Sequence, residues 1–152
     1  MKPQYEVTLL QTAHLAHVAE LERLCFPEPW SEQSLAILTH EGGFGITALS
    51  RDGKVVGYGG MVTVLDEGQI TNIAVHPLHR RMGVGSAILT AMIEEAARRG
   101  ITLLSLEVRA SNLSAKELYL KHEFTVAGTR KGFYRHPTED ALVMVRKNFS
   151  VG

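Results

Sequence analysis

The segment at residues 69–85 places the strongest single constraint on how this chain folds. It contains strand-forming residues up to Val75, a turn marked by Pro77, two adjacent arginines, and then Gly83 and Gly85 at the start of an amphipathic stretch. A strand that leads through glycines into a helix is typical of sheets covered by helices. The N-terminus of such a helix offers unpaired backbone N–H groups and the positive end of the helix dipole, which suit phosphate oxygens. The segment therefore predicts a site for a ligand that carries a diphosphate.

Further details of this segment narrow the ligand. The two glycines lack a Cβ atom, so a diphosphate can approach their backbone closely, and Arg80 and Arg81 can add charge-assisted contacts at the rim. A Rossmann fingerprint would need a third glycine where this chain has Ile88, and a P-loop would need a lysine where it has Ser86. The pattern Arg-Arg-x-Gly-x-Gly after a strand instead resembles the acetyl-CoA-binding motif of the GNAT family of N-acetyltransferases. A surface turn before an amphipathic helix is the alternative.

Composition predicts a single domain, residues 1–152, with enough chain to bury a core. Sixteen basic and sixteen acidic residues cancel, which argues against nucleic acid or an anionic membrane as a partner. The single cysteine, Cys25, leaves no internal disulfide and suits a reducing compartment. No apolar run suits a membrane span or a secretory signal, so we expect a cytoplasmic protein. Two pairs of histidines with H-x-x-H spacing lack further ligands, so we expect no metal site.

Hydrophobic periodicity and turn residues predict the element order β-α-α-β-β-β-α-β-α-β-β. The predicted strands span residues 5–10, 44–49, 55–64, 69–75, 101–108, 124–134 and 141–147, and the predicted helices span residues 14–25, 31–40, 84–99 and 113–121. A turn at residues 66–68 and an Asp-Gly hairpin signal at residues 52–53 separate adjacent strands. This order fits an α/β (α+β) domain that has a mixed sheet with helices on both faces.

A carboxylate stands in the apolar strand predicted at residues 101–108. Period-two alternation puts Leu104 and Leu106 on one face and Glu107 on the other, near the end of the strand where such sheets tend to bind ligands. Glu107 is therefore a candidate catalytic residue. A solvated edge charge and an ion-pair partner for Arg109 are the alternatives.

Asn112 and Tyr119 lie two helical turns apart on the helix predicted after that strand, so they share one face. That face could meet a pantetheine arm at one end and its sulfur at the other. The alternative is the commoner situation, a capping asparagine and a core tyrosine. Two caps are possible for this helix, either Asn112 or a capping box formed by Ser114 and Glu117.

The resemblance to the GNAT family extends along nearly the whole chain. The predicted element order is that of a GNAT domain, which implies a mostly antiparallel sheet of six or seven strands. The branch of the family known as RimI, which acetylates the N-terminal alanine of a small-subunit ribosomal protein, has the most similar motifs. The stretches that resemble it are residues 26–31, 65–67, 72–75, 106–112, 118–119 and 139–141. The resemblance therefore implies a protein N-terminal acetyltransferase that uses acetyl-CoA.

The resemblance also implies roles for individual residues. Glu107 matches the base of that branch and Tyr119 matches the acid. The acceptor cleft is expected near residues 27–31 and 133–134, with Trp30 and Tyr134 lining it. The residues expected to hold acetyl-CoA are Ile73, Ala74, Val75, Arg80, Arg81, Met82, Gly83, Val84, Gly85, Ser86 and Asn112.

These residue types suit the chemistry of acetyl transfer. An α-amino group has a pKa of about 7.7–8.0 and is largely protonated at neutral pH, so Glu107 could accept its proton directly or through a water. Backbone N–H groups of residues 72–75 could stabilise the developing oxyanion. Tyr119 could hydrogen-bond the departing thiolate. We expect that role more than full proton transfer, because the reference pKa of tyrosine lies above that of a thiol.

One position departs from the family pattern. Family members usually have glycine where this chain has Glu123, directly before Phe124. Glycine there would take the left-handed conformation that ends a helix, which costs a non-glycine residue roughly 1–2 kcal/mol. The usual helix end is therefore in question at this position.

Two rival functions are compatible with the sequence. One is a GNAT enzyme that acts on another amine, such as a small metabolite or a lysine side chain. The other is a non-catalytic acyl-CoA-binding module, which we would expect to have lost Glu107 or Tyr119, and both are present. The acceptor and the oligomeric state stay open at this point.

Overall fold

The computed structural model describes residues 4–148, and in this part of the chain seven strands form one sheet flanked by four α-helices. The strands are β1 (Tyr5–Leu9), β2 (Gly43–Ser50), β3 (Val55–Val64), β4 (Glu67–Val75), β5 (Leu103–Arg109), β6 (Thr125–Tyr134) and β7 (Glu139–Lys147). The helices are α1 (Leu15–Cys25), α2 (Glu32–Leu35), α3 (Val84–Arg98) and α4 (Leu113–Lys121), with short 3-10 turns at Thr12–His14, Ala36–Thr39 and Pro77–His79. The predicted order of strands and helices is confirmed.

The sheet has the strand order β1-β2-β3-β4-β5-β7-β6 and is mixed but mostly antiparallel, as expected. The parallel pair is β4 and β5, which α3 connects as a crossover helix. Gly53, in the predicted hairpin turn between β2 and β3, has a φ of 81°, which an Asp-Gly turn requires. None of the helices within residues 4–148 combines the length and the apolar character needed to cross a membrane.

Hydrophobic cores lie on both faces of the sheet, which confirms that helices cover both. The stripe that α3 buries against one face consists of Val84, Ile88, Leu89, Met92 and Ala96. Helical spacing predicts these residues together with Ile93, which is only partly buried. The alternating apolar residues of β5 and Tyr119 of α4 join this core. The residues that α1 and α2 bury against the other face are Leu15, Val18, Ala19, Leu21 and Leu35. Burial of this apolar surface supplies the main stabilisation of the fold.

The turn between β3 and β4 differs from the sequence prediction. Val64 pairs with Glu67, so the connection is a two-residue turn at Leu65 and Asp66 rather than at residues 66–68. Leu65 adopts a left-handed φ of 54° to close it. Asp66 is a residue type typical of turns, whereas Leu65 is not, and β4 begins two residues before the predicted strand.

The two ends of α4 resolve the alternatives that the sequence left open. The Oδ1 atom of Asn112 accepts a hydrogen bond of 3.2 Å from the N–H of Ala115, so Asn112 is the cap and the capping box at residues 114–117 is wrong. At the other end, Glu123 takes a φ of 68°, the left-handed conformation expected of a glycine. Its mostly exposed carboxylate forms an ion pair of 2.7 Å with Arg146.

A β-bulge in β4 redirects the side chains that follow it. Ile70 and Asn72 pair with adjacent residues of β3, so Thr71 between them is an extra residue. Ile70 therefore faces the core under α3, whereas Asn72 faces α1 and hydrogen-bonds Glu22. In an unbroken strand both even-numbered residues would face the same side. The bulge thus decides which side chains β4 presents to α1.

Candidate active site

An opening lies at the centre of the sheet, between β4 and β5. Their parallel ladder contains three residue pairs and ends at Gln69 and Ser105. Beyond that point β4 stays paired with β3 as far as Val75, and β5 stays paired with β7 as far as Arg109. Backbone N–H and C=O groups along the β5 side of β4 therefore lie outside the sheet ladder. An extended ligand can form hydrogen bonds with these groups in the way that a neighbouring strand would.

The turn that leads from β4 into α3 contains two left-handed residues. Arg81 has a φ of 64° and Gly83, the N-cap of α3, has a φ of 79°. Among the described residues, no neighbouring heavy atom lies within 4 Å of the position that a Cβ atom of Gly83 would take. The N–H of Ala87 bonds the carbonyl of Gly83, which leaves the N–H groups of residues 84–86 without an intrahelical partner. The turn therefore fits a diphosphate.

Arg80, which we expected at the rim of the cofactor site, is exposed and has protein partners of its own. Its Nε donates to the carbonyl oxygen of Val75 at 3.0 Å, and Nη2 lies 3.7 Å from Sγ of Cys25. Burial raises the pKa of the Cys25 thiol, and the hydrogen bond from Arg80 acts against this. Arg80 therefore braces the end of β4, and contact of Arg80 or Arg81 with a ligand stays a prediction.

Two other side chains of the predicted cofactor segment also have protein partners. Tyr5 donates from its hydroxyl to Sδ of Met82 at 2.8 Å. Oγ of Ser86 lies 3.0 Å from Nε2 of His122, at the end of α4. Burial lowers the pKa of His122, and the positive charge of Arg146 lowers it further. These contacts tie the turn to β1 and α4.

The residues of β4 predicted to hold the cofactor present their backbone rather than their side chains. Ile73 and Val75 pack against the core under α3, and Ala74 is buried in the core under α1. Asn112 uses its Oδ1 to cap α4, as the structural alternative predicted. Any contact of residues 73–75 with a ligand in the opening is therefore made by N–H and C=O groups.

A cleft of about 520 Å³ opens between the loop that follows α1 and the turn between β6 and β7. Trp30 lies in one wall, Tyr134 lies in the other, and Glu107 faces the space between them. The structure thus brings together the three residues that we predicted for the acceptor site and for the base. Other lining residues include Phe26, Gln69, Thr71, Asn72, Phe133 and Arg135.

Glu107 has partners at both carboxylate oxygens. Nε2 of Gln69 donates to Oε2 at 2.7 Å, and Nε of Arg130 lies 3.7 Å from Oε1. The side chain of Glu107 is 13% exposed, so it is not a solvated edge charge. Nor does it pair with Arg109, which instead forms an ion pair of 3.3 Å with Glu139. Both alternatives that the sequence left open for Glu107 are therefore wrong.

Arg109 braces the turn between β6 and β7. Its guanidinium donates to the carbonyl oxygens of Arg135 at 2.8 Å and Pro137 at 2.9 Å. The same group lies 4.5 Å from the centre of the Tyr134 ring. Arg109 thereby holds Tyr134 against the cleft from the end of β5.

Tyr119 is buried in the core under α3. Its ring contacts that of Phe124 edge to face, with the centroids 5.6 Å apart. Burial raises the pKa of Tyr119 well above its ordinary value, with a smaller contribution from Tyr134. The pKa of Tyr134 is itself raised, first by burial and then by the charge of Glu107. A phenol with a raised pKa is a weaker acid, which favours hydrogen bonding to a thiolate over proton transfer.

Comparison with known proteins identifies the family. A family model described as the acetyltransferase (GNAT) family matches residues 15–124, which is well over half of the chain. The chain belongs to the GNAT family of acetyltransferases. The matched region runs from α1 through α4 and so includes the opening between β4 and β5, the turn into α3 and the base candidate Glu107.

Relatives of this GNAT chain match it along nearly their whole length. The ribosomal protein bS18-alanine N-acetyltransferase of Escherichia coli K12 is 37% identical over 142 residues, covering 91% of this chain and 94% of the relative. A crystal structure of the ribosomal-protein-S18-alanine N-acetyltransferase from Escherichia coli has a TM-score of 0.89 at 33% identity, covering 97% of this chain and 96% of that chain. A GNAT phosphinothricin acetyltransferase from Sinorhizobium meliloti, solved in complex with AcCoA, has a TM-score of 0.83 at 20% identity, covering 97% and 90%, and shows the fold alone. The predicted GNAT fold is confirmed.

Sequence reasoning did not find two residues at this GNAT site. The sequence predicts a strand at Gln69 but not its contact with Glu107. The parallel register between β4 and β5 brings the two residues together, and no local pattern indicates that register. The second residue is Glu22 of α1. A signal for it exists, because Glu22 lies four residues after Val18 and seven after Leu15, on the buried stripe of the helix.

Proposed function

We propose that this GNAT acetyltransferase transfers the acetyl group of acetyl-CoA to the N-terminal α-amine of a protein, and that its acceptor is the N-terminal alanine of a ribosomal protein. The observation that carries the proposal is the largely buried carboxylate of Glu107 in a cleft walled by Trp30 and Tyr134. A base at that point is what an incoming ammonium group needs. The bS18-alanine specificity in the names of the relatives supports the choice of acceptor.

Acetyl-CoA supplies the activated acetyl group in this proposal. Its diphosphate is placed on the free N–H groups of residues 84–86, beside the open surface of Gly83 and within reach of Arg81. Its pantetheine arm is placed in the opening, along the backbone of residues 73–75. Asn112 keeps its Nδ2 for that arm, since its Oδ1 caps α4. The proposed reaction requires no metal.

Each protein group has one task in the reaction. Glu107, oriented by Gln69, accepts a proton from the α-ammonium group directly or through a water, which creates the free amine. N–H groups of residues 72–75 stabilise the charge that develops on the thioester oxygen. Tyr119 donates a hydrogen bond to the departing thiolate, and its raised pKa keeps it protonated for that task. The transfer is direct, with the amine and the thioester bound at the same time.

The setting of the reaction follows from the acceptor. Ribosomal proteins are made in the cytoplasm, and we place the enzyme there as a single domain of residues 1–152. The equal numbers of acidic and basic residues give it no overall attraction to nucleic acid or to an anionic membrane, and the proposal requires neither.

Three peptides of one basic sequence test the acceptor. The first begins with a free alanine and contains lysines, the second is the same peptide with its α-amine acetylated, and the third has a free alanine with every lysine replaced by arginine. We expect turnover of the first and the third at similar rates and none of the second, measured by thiol release from acetyl-CoA and by mass spectrometry. Equal turnover of the blocked and free peptides would reject the proposal in favour of a lysine acetyltransferase.

A further inference from the structure

A carboxylate that the proposed reaction does not use lies fully buried beside the acceptor cleft. Glu22 of α1 is 0% exposed. Its Oε1 accepts a hydrogen bond of 2.8 Å from the backbone N–H of Trp30, and its Oε2 accepts from Nδ2 of Asn72 at 2.9 Å and from the hydroxyl of Tyr58. All three partners donate, which is the arrangement that an ionised carboxylate requires. Without them, burial of a charged group at this position would be strongly unfavourable.

The partners of Glu22 belong to different parts of the site. Trp30 lies in the wall of the acceptor cleft, in the loop that follows α1. Asn72 comes directly after the bulge of β4 and directly before residues 73–75, along which the thioester arm is placed. Tyr58 of β3 donates to Oε2 of Glu22, the oxygen that Asn72 also contacts. The pKa of Tyr58 is raised by burial and by the charge of Glu22. One side chain therefore joins the acceptor wall to the cofactor strand.

We infer that Glu22 is a positioning residue for acetyl transfer, whose carboxylate sets the acceptor wall at Trp30 relative to the cofactor strand at Asn72. Because Glu22 is fully buried, it acts through these two residues and not on the reactants. The inference rests on the proposed function, which places the amine at one of these residues and the thioester next to the other. The bulge at Thr71 is part of the same device, since it turns Asn72 toward α1.

The substitution Glu22→Gln tests this arrangement with little change in shape. The amide nitrogen of the introduced glutamine is a donor and would face a donor. The side chain can therefore accept a hydrogen bond from Trp30 or from Asn72, but not from both. We expect kcat/KM for the acceptor peptide to fall about tenfold, the scale of one lost charge-assisted hydrogen bond, while the Kd for acetyl-CoA is unchanged. Glu20→Gln, on the exposed face of the same helix, is the matched control and should leave both values unchanged.

Trp30 provides a second readout that needs no acceptor. It is the only tryptophan of the chain, so the intrinsic tryptophan fluorescence reports this loop alone. In Glu22→Gln we expect greater quenching by acrylamide than in the unsubstituted protein. Adding Asn72→Asp to Glu22→Gln exchanges the acceptor and the donor across the same contact. The double variant should recover most of the lost kcat/KM and the original quenching, whereas Asn72→Asp alone places two carboxylates together and should be poorly active.

The outcomes separate positioning from a purely structural role. A Glu22→Gln protein that is folded by circular dichroism and unchanged in kcat/KM would overturn the inference whatever its quenching, as would a double variant no better than the single one. If Glu22→Gln does not fold, Asn72→Ala breaks the link to β4 alone and must lower kcat/KM. If no alanine peptide is turned over, that result defeats the proposed acceptor. The quenching comparison then still shows whether Glu22 holds the loop at Trp30, and kcat/KM is measured with the amine that is turned over.

Discussion

Gln69 donates a hydrogen bond of 2.7 Å from its Nε2 to Oε2 of Glu107, across the parallel pair of β4 and β5. The ladder between these strands ends at Gln69, so this is the last point at which β4 can hold the carboxylate before the sheet opens. Arg130 approaches the other oxygen to 3.7 Å from a side chain that is mostly exposed. The neutral amide of Gln69 is therefore the closer of the two partners of Glu107.

Removing this amide should affect turnover only while the carboxylate is present. We expect Gln69→Leu to lower kcat about tenfold, because Glu107 can then turn toward Arg130 and lose its orientation to the amine. In a Glu107→Gln background the same change should have almost no further effect, and the four kcat values form a double-mutant cycle. Gln33→Leu on the exposed surface of α2 is the control. Additive losses would show that Gln69 acts independently of Glu107.

Loss of the base should be rescued by pH. Glu107→Gln should lower turnover at neutral pH by about a hundredfold, because the ammonium group keeps its proton. Much of the loss should return above pH 9, roughly a unit beyond the pKa of the α-amine, where the free amine forms unaided. Burial raises the pKa of Tyr119, so that hydroxyl stays protonated over this range and does not mask the rescue. A pH–rate profile beside that of the exposed Glu117→Gln checks this, and a flat deficit at all pH values would contradict it.

The hydroxyl of Tyr119 should matter for turnover and not for binding. Tyr119→Phe keeps the ring contact with Phe124 and removes one oxygen, so acetyl-CoA should bind as before while the thiolate leaves less readily. Calorimetry with acetyl-CoA and measurement of kcat separate these effects. High pH should not rescue this variant. If it rescues Tyr119→Phe and fails to rescue Glu107→Gln, the two roles are reversed.

A pair of glycines separates cofactor contact from backbone strain. Gly83 at the start of α3 and Gly100 after its end have φ values of 79° and 76°, and at both positions the space that a Cβ atom would occupy has no neighbouring heavy atom of the described residues within 4 Å. Valine at either position should cost roughly 1–2 kcal/mol of folding stability, seen in thermal melts. Only Gly83→Val should also weaken acetyl-CoA binding by calorimetry. Equal acetyl-CoA affinity in the two variants would contradict the placement of the diphosphate at this turn.

His122 should make stability depend on pH near neutrality. Its pKa in the folded protein is lowered by burial, so the unfolded chain binds a proton first as the pH falls. The stabilisation is therefore present above about pH 6.5, the ordinary pKa of histidine, and is lost as the pH falls through the lower pKa of the folded state. We expect the melting temperature of His122→Gln to vary less between pH 7.5 and pH 5.5 than that of the unsubstituted protein. Parallel curves would contradict this.

Several features of the site could be predicted because they depend on neighbours in the chain. Period-two alternation placed Glu107 and Leu106 on opposite faces of β5. Helical spacing placed the apolar stripe of α3 against the sheet. The Gly-x-Gly turn predicted the start of α3, where Gly83 has a left-handed φ. The family resemblance pointed to the same segments. These patterns repeat over a few residues, so the order of amino acids carries them directly.

The sequence by itself determined the element order, the buried faces of α3 and β5 and the residue types available for chemistry. Tertiary structure alone decided which of them meet: Gln69 with Glu107 through the register of β4 on β5, and Glu22 with Asn72 through the bulge at Thr71. Tertiary structure also decided that Arg109 forms its ion pair with Glu139 and not with Glu107. Register, bulges and contacts between distant elements arise from packing across the whole sheet, and a local pattern contains no information about them.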